Sequence, residues 1–267
     1  MKKRADILLA EKEIARSREK AKAMIIAGIV RYDGKPVTSP AEQLEESGEF
    51  VILGEDCPYV SRGGLKLERA LLEFHIDLSD KTCLDIGCST GGFTDCMLQN
   101  GASFVYAVDV GYGQFDWALR NDSRVDLRER TNARYLDENS FERPVGFVSI
   151  DVSFISLRLI LPALFKIKHE DGLEVVALIK PQFEAGRDKV GKKGVVRDPA
   201  VHEEVIRTVL QFAQENGFGV GGLTFSPIKG PNGNIEYLCY LKKGAECIET
   251  GDLIKETVED SHKSLVH

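Results

Sequence analysis

The sequence predicts an α/β protein, with a doubly wound sheet domain in its larger part and a small α+β domain in front. Three observations carry that expectation. Strand-like apolar runs alternate with helical patterns from residue 81 to 241, closing on two strands joined by a loop. At residues 82–101 a strand, a glycine turn and a helix follow one another directly. The first 55 residues read instead as helix, helix and small sheet, with their own charge balance.

In that first part, Asp6 is placed to cap a helix running through Ile14, with Ile7, Leu8 and Ile14 apolar. Ser17 is placed to cap a second helix. Its positions Ala21, Met24, Ile25 and Gly28 share one face, and Gly28 is its stop. Ile29–Tyr32 and Lys35–Val37 flank Asp33-Gly34, a hairpin signal, and Phe50–Leu53 is a further strand. Residues 1–35 carry ten basic and five acidic side chains, in a chain whose net charge is −7. Residues 42–56 reverse the sign with Glu42, Glu45, Glu46, Glu49, Glu55 and Asp56. A basic end on an acidic body suits an RNA-facing module; a solvated, charged helix pair accounts for the composition equally well.

Cys57-Pro58 marks the boundary. The expected division is 1–58, a linker at 59–64, the sheet domain at 65–243 and a polar tail at 244–267. The sheet domain opens with a helix carrying Leu65, Leu67, Ala70, Leu71, Leu72 and Phe74. Lys66 lies in its first turn, where a cation opposes the helix dipole. That placement points either to a function or to a solvated surface lysine.

Next, Cys83, Leu84 and Ile86 run into Gly87, Gly91 and Gly92, and a helix with Phe93, Met97 and Leu98 stops at Asn100-Gly101. The spacing Gly-x-x-x-Gly-Gly is not the G-x-G-x-x-G of a dinucleotide site. Asp85, two residues before the first glycine, suits a cationic or hydroxyl-bearing ligand. About 20 residues later Phe104–Val108 ends in Asp109, placed to accept hydrogen bonds from a ribose diol. Together these point to S-adenosylmethionine (SAM). The alternative is a βαβ turn that uses its glycines for packing alone.

Gly111–Gln114 then reads as a loop, and a short helix runs through Trp117 and Leu119 to Asn121. A strand at Val125–Leu127 leads to Asn132, near where an adenine amine would be recognised. Phe147–Ile150 ends in Asp151, and Leu173–Ile179 ends in Lys180-Pro181. Both charges therefore fall on the rim that holds the glycine turn. Gly186–Lys193 misses the P-loop pattern, with Lys193 where Ser or Thr is required, and reads as a mobile basic loop over the site. Asp198-Pro199 starts an amphipathic helix with Val201, Val205, Val209 and Phe212 on one face, closed by Asn216-Gly217. The last strands are Val220–Phe225 and Ile235–Leu241, and the turn-rich loop between them delivers Glu236.

No apolar run reaches the roughly 18 residues of a membrane span, and the N-terminus does not read as a signal peptide, so a cytoplasmic protein is expected. The six cysteines show no C-x-x-C pair or metal-ligand spacing. Cys83 and Cys239 read as buried thiols and Cys88 as a small turn-lining residue.

Two resemblances stand beside this reading. Arg16-Ser17-Arg18-Glu19-Lys20-Ala21, Ala27-Gly28-x-Val30 and Asp33-Gly34-Lys35 resemble the small RNA-binding domain named after ribosomal protein S-four. The resemblance implies binding of structured RNA through Arg4, Arg16, Arg18, Lys20, Lys22, Arg31 and Lys35. Ile29 departs from it, since a basic residue is common there. The rest resembles SAM-dependent ribose 2′-O-methyltransferases of the FtsJ type. Its carriers are Asp85-x-Gly-x-Ser-Thr-Gly-Gly-Phe, Asp109-Val-Gly-Tyr-Gly-Gln, Glu129-Arg-Thr-Asn-Ala-Arg, Asp151-x-Ser-Phe-Ile-Ser-Leu, Lys180-Pro-Gln-Phe-Glu and Gly233-Asn-x-Glu-Tyr. With the basic domain in front, residues 1–243 resemble the TlyA-type (hemolysin A) family.

The resemblance implies a Rossmann-like domain with a mostly parallel seven-stranded sheet and helices on both faces. It implies a catalytic tetrad of Lys66, Asp151, Lys180 and Glu236. It implies SAM binding by Asp85, Gly87, Ser89, Gly91, Gly92, Phe93, Asp109, Asn132 and Asp151, with no metal. The implied reaction is 2′-O-methylation of cytidine in ribosomal RNA of assembled subunits by a monomeric protein. The few residues before Arg4 favour the large subunit over both. A free lysine has a pKa of ~10.4, so Lys180 needs desolvation or a second cation, which Lys66 can supply, to act as a base. Three rivals remain: a membrane-lytic protein, a non-catalytic RNA-binding protein on a degenerate methyltransferase fold, and a small-molecule O-methyltransferase. The last leaves the basic domain unexplained.

Overall fold

The structure, a computed structural model, describes residues 2–15, 17–26, 29–52 and 57–265. The expectations for Arg16, Gly28 and Leu53 lie outside the described residues. The chain divides into two compact units, Met1–Asp56 and Cys57–His267.

The first unit runs β1 (Lys2–Arg4), α1 (Ala5–Glu11), α2 (Arg18–Ile26), β2 (Val30–Tyr32), β3 (Lys35–Pro36), β4 (Gln43–Glu45) and β5 (Phe50–Ile52). β1 pairs with β4, and β2 lies between β3 and β5, all antiparallel. Asp33 and Gly34 both take positive φ, 47° and 77°, as a two-residue hairpin turn of the primed type requires. Leu8, Leu9, Met24, Ile25 and Val30 form its core. Ser17 accepts the Lys20 amide at 3.1 Å and caps α2.

Asp6 does not cap α1. The chain enters that helix from a paired strand, and Ala5 N–H bonds the Glu42 carbonyl at 2.8 Å, so the helix begins two residues earlier, with Arg4 in the cap position. Asp6 is instead fully buried and receives the Arg4 and Arg18 guanidinium Nε atoms at 2.9 Å each. Its helix ends at Glu11 rather than Ile14, and Glu13 turns to φ 58° just beyond.

The second unit runs α3 (Gly64–Glu73), β6 (Thr82–Ile86), α4 (Gly92–Gln99), β7 (Phe104–Val108), α5 (Trp117–Arg120), β8 (Val125–Arg128), β9 (Val145–Ile150), β10 (His169–Ile179), α6 (Pro181–Glu184), α7 (Pro199–Glu215), β11 (Phe218–Phe225), β12 (Tyr237–Lys243) and α8 (Gly251–Leu265). Its seven-stranded sheet has the order β11-β12-β10-β9-β6-β7-β8. β8, β7, β6, β9 and β10 are parallel, while β12 runs antiparallel between β10 and β11. Strand order reverses between β6 and β9, which makes their carboxyl ends the switch point where open α/β sheets bind ligands. Leu84, Val148 and Ala177 face one apolar cluster, and Cys83, Phe147 and Val176 face the other, as the period of two dictates for a sheet covered on both faces.

Two boundaries differ from expectation. Residues 59–64 are no linker: Tyr59 is buried, its hydroxyl donates to Glu68 at 2.7 Å, and a side chain at Gly64 would overlap its ring. Nor is the C-terminal stretch only a polar tail. Ile254, Val258 and Ser261, at helical spacing, are buried, and α8 packs on α7 and β11. The basic loop is tied at Lys189, whose Nζ sits 2.6 Å from Glu204 on α7.

Candidate active site

The glycine turn after β6 and the chain leaving β9 meet at the switch point. Asp151 N–H bonds the Ile86 carbonyl at 2.9 Å. Gly87 has φ 86°, and a Cβ there would overlap the Asp151 carbonyl oxygen, so a glycine is required. A cleft of about 440 Å³ opens beside this contact, lined in part by Gly87, Ser89, Asp109, Asn132 and Asp151. Asp109, at the end of β7, accepts Ser89 N–H at 2.8 Å and Gly111 N–H at 2.6 Å. Each carboxylate oxygen keeps a second lone-pair site for a ligand. Asn132 caps the turn after β8 through the Arg134 amide at 3.1 Å.

Four of the residues expected at the cofactor lie elsewhere. The Asp85 carboxylate is fully buried and takes the hydroxyls of Thr94 at 2.7 Å and Ser149 at 3.1 Å, joining β6 to α4 and β9 beneath the cleft. Burial is the main reason its carboxyl is pushed up to about 7. Gly91, at φ 96°, lets Leu119 and Phe115 approach, and Gly92 lets Ser61 do so. Phe93 belongs to the core under the sheet. The glycine-packing alternative therefore describes Gly91 and Gly92, while Gly87 and Ser89 line the cleft.

The four ionisable groups converge at one edge of the cleft. Strand register explains three of them. Ile179 pairs with Tyr237, so Lys180 and Glu236 emerge side by side, and β9 next door ends in Asp151. Lys66 reaches in from the first turn of α3, with its side chain only 9% exposed. Its Nζ lies 2.6 Å from Glu236 Oε2 and 3.9 Å from Asp151 Oδ2. Lys180 Nζ lies 2.5 Å from Asp151 Oδ1 and donates to Ser153 Oγ at 3.0 Å. The surface-lysine alternative for Lys66 thus does not hold.

Two partners of this network escaped the sequence reading. Ser153 holds Lys180, and Gln182 Nε2 donates to Glu236 Oε1 at 3.2 Å. Both lie two residues from a tetrad member in chain segments already singled out, Asp151–Leu157 and Lys180–Glu184, which was the available signal. Beyond Lys180 a second open hollow of about 490 Å³ is lined by Phe154, Gln182, Phe183, Gly186, Arg187 and Val190.

In the first unit Lys35 is exposed, Arg31 donates to the Gly34 carbonyl at 3.1 Å, and Lys22 pairs with Glu19 at 3.0 Å. Arg4 and Arg18 spend part of their charge on Asp6, and Lys20 is partly buried.

Comparison with known proteins fits this geometry. Residues 59–243 match the family model of the FtsJ-like methyltransferase, and residues 3–51 match the S4 domain. The chain belongs to the FtsJ-like methyltransferase family. A Bacillus subtilis protein provisionally named rRNA methyltransferase YqxC is 50% identical over 269 residues, covering 99% of this chain and 95% of its own. The 16S/23S rRNA (cytidine-2'-O)-methyltransferase TlyA of Mycobacterium tuberculosis is 45% identical over 240 residues, 90% of this chain and 89% of its own. A Streptococcus thermophilus structure solved under a provisional hemolysin title superposes with a TM-score of 0.79 at 49% identity, covering 98% of this chain and 96% of that one.

The family's methyl donor fits the cleft. An acidic side chain with free acceptor sites ends β7, a polar amide stands at the end of β8, and the glycine-lined floor leaves the space a nucleoside needs.

Proposed function

We propose that this protein is a SAM-dependent ribose 2′-O-methyltransferase acting on cytidine in ribosomal RNA of assembled subunits. The observation that carries the reading is the interleaved network Glu236–Lys66–Asp151–Lys180 on the rim of a nucleoside-sized cleft. The substrate class rests on the names of the relatives and on the RNA-binding module in front. A membrane-lytic role gains nothing here: among the described residues no helix is long and apolar enough to cross a membrane.

Asp109 would hold the ribose diol of SAM, Asn132 the adenine edge, and the Gly87–Ser89 turn the amino-acid portion. When bound, SAM supplies a methyl group already activated on a sulfonium, so no metal is needed. The protein must align a ribose hydroxyl and take its proton. Lys180 Nζ donates a hydrogen bond to Ser153 Oγ and stands in an ion pair 2.5 Å from Asp151 Oδ1. Its remaining hydrogen-bonding capacity is left for the 2′-oxygen. The oxygen–methyl bond would form as the sulfonium–methyl bond breaks, leaving a neutral thioether, while Lys180, as the uncharged amine, would take the hydroxyl proton at Nζ and Asp151 Oδ1 would stabilise the resulting ammonium. Lys66 and Glu236 fix Asp151 from the far side. The hollow beyond Lys180 leaves room for a nucleotide splayed out of its helix.

The test is transfer of labelled methyl from SAM to separated ribosomal subunits from a strain lacking this gene, with Lys180→Met alongside. Label in 2′-O-methylcytidine that falls about 100-fold or more in the variant, with SAM affinity kept, is the expected result. Full transfer by Lys180→Met would refute the role of Lys180, and no label from the wild type on either subunit would refute the substrate.

A further inference from the structure

Five residues separate Asp151 from Leu157. They form no helix or strand up to Ser156, and Phe154 sits at φ 64°. Yet this stretch carries Asp151 and Ser153, the two partners of Lys180. Its far end is pinned by one side chain. Glu184, the last residue of α6, accepts Ser156 Oγ–H at 2.7 Å and Leu157 N–H at 2.7 Å, one on each carboxylate oxygen. That side chain is 4% exposed, and Arg158 Nε stands 4.0 Å away.

The two chain segments are therefore joined at both ends. Lys180 meets Asp151 at one end, and four residues later Glu184 meets Ser156 and Leu157 at the other. Pro181 starts the single turn of α6 between them, with φ held by its ring. The turn also aims Gln182 at Glu236.

We infer that Glu184 is a positioning residue for the methyl-transfer reaction. It closes a strap between residues 180–184 and 151–157 and so sets the approach of Asp151 and Ser153 to the Lys180 amine. The inference rests on the reading of Lys180 as the group that contacts the ribose hydroxyl. A buried carboxylate with two charge-assisted bonds is a strong tie on the far end of the segment. Its loss frees a loop whose displacement by 1 Å can cost about 100-fold in rate. Glu184 itself does not line the cleft, but the strap does from Asp151 to Ile155, so SAM affinity is expected to fall far less than the rate.

The experiment compares wild type, Glu184→Ala, Glu184→Gln, Ser156→Ala and the double variant Ser156→Ala/Glu184→Ala in full-length protein. It reads kcat and KM for ribosomal subunits, SAM affinity by calorimetry, and amide hydrogen exchange over residues 151–157. Glu184→Ala is expected to lower kcat by about 30- to 100-fold, with KM and SAM affinity within about threefold. Glu184→Gln, which keeps an acceptor oxygen, recovers kcat to within about tenfold of wild type. The double variant is no slower than Glu184→Ala, because the two residues act through one bond. The Leu157 amide exchanges faster in Glu184→Ala, a readout that needs no activity.

Should Glu184→Ala fail to fold, Ser156→Ala carries the test, with an expected loss of about threefold to tenfold in kcat. Wild-type kcat in Glu184→Ala, or in Ser156→Ala where that variant must serve, overturns the inference. So does SAM affinity falling in step with kcat, or unchanged exchange at Leu157. A wild type that methylates neither subunit overturns the function proposed above instead, and the exchange measurement still decides the strap.

Discussion

Replacing Lys66 by methionine removes one charge from a site that holds two cations and two anions away from water. Its partner Glu236 is fully buried, and the Gln182 amide on Oε1 is its other hydrogen bond in the network. Removing one member of such a pair strands the other and typically costs about 3–5 kcal/mol, more than the pair contributes over an apolar substitute. With an m-value of about 3 kcal/mol/M for a domain of this size, the urea midpoint of the larger unit falls by roughly 1–1.7 M. Near-ultraviolet circular dichroism reports on it through the buried Tyr106 and Tyr237. The second arm is Lys66→Met/Glu236→Gln. It removes both charges while leaving an amide oxygen for Gln182, so at least half of the lost midpoint returns. Methyl transfer does not return, because Asp151 has lost its second cation in both variants. A wild-type midpoint in Lys66→Met, or a double variant no more stable than the single, would show that the Lys66–Glu236 contact is not the buried charge couple described here.

Three further outcomes follow. Asp109→Ala removes the proposed ribose acceptor and unties Ser89 and Gly111, so SAM affinity by calorimetry should drop about 10- to 100-fold, and an unchanged affinity would move the diol elsewhere. The Asp85 carboxyl is raised from 3.8 to about 7 in the folded state, which therefore binds a proton that the unfolded chain has released. The stability of the wild type relative to Asp85→Asn then falls as pH rises from about 4 through 7, by an order of 4 kcal/mol, His202 contributing alike to both proteins; parallel pH curves would contradict this. Lys35→Ala in the exposed hairpin should weaken binding to ribosomal RNA and lower the slope of log affinity against log salt by about 0.7–0.9, and an unaltered slope would take Lys35 out of the interface.

The four-residue network was more legible in the sequence than the lining of the cleft was. Asp151 and Lys180 were singled out because each follows a long apolar run, and strand ends on one sheet share a rim. Asp109 was singled out the same way. Asp85, Gly91, Gly92 and Phe93 were assigned to the ligand because they share a segment with Gly87 and Ser89. A strand alternates its faces, however, and Asp85 turns its carboxylate to Thr94 and Ser149. The need for Gly91 and Gly92 comes from Leu119 and Ser61, respectively 28 residues after and 31 before them, and no local pattern encodes such contacts. In the first unit β1 and β4 have three residues each, too few for an alternation to be seen. Helix α8 did carry a signal, Ile254 and Val258 one turn apart, but it was masked by the charged residues around them.

The network's geometry depends on a register more than on any single contact. β12 must pair with β10 so that Tyr237 faces Ile179, because a slip of one residue would turn Glu236 to the other face of the sheet, away from Lys66. The turn before β12 opposes that slip. Gly230 N–H bonds the Asn234 carbonyl at 2.9 Å, and the buried Asn234 side chain accepts Val196 N–H at 3.1 Å and donates to Gly194 at 2.9 Å. At Gly230 itself any Cβ would overlap the Glu236 carboxylate, so the turn leaves the space that the carboxylate fills. On the far side of Glu236, the Tyr237 hydroxyl meets His202 of α7 at 2.8 Å and Ser261 of α8 at 3.0 Å. Burial holds His202 down to about 4, so this clasp stays uncharged near neutral pH and ties the C-terminal helix to the strand that presents Glu236. A desolvated set of four charges adds little stability of its own. It persists because β12 is fixed on one side by a glycine-bounded turn and on the other by a neutral polar clasp, both lying outside the cleft.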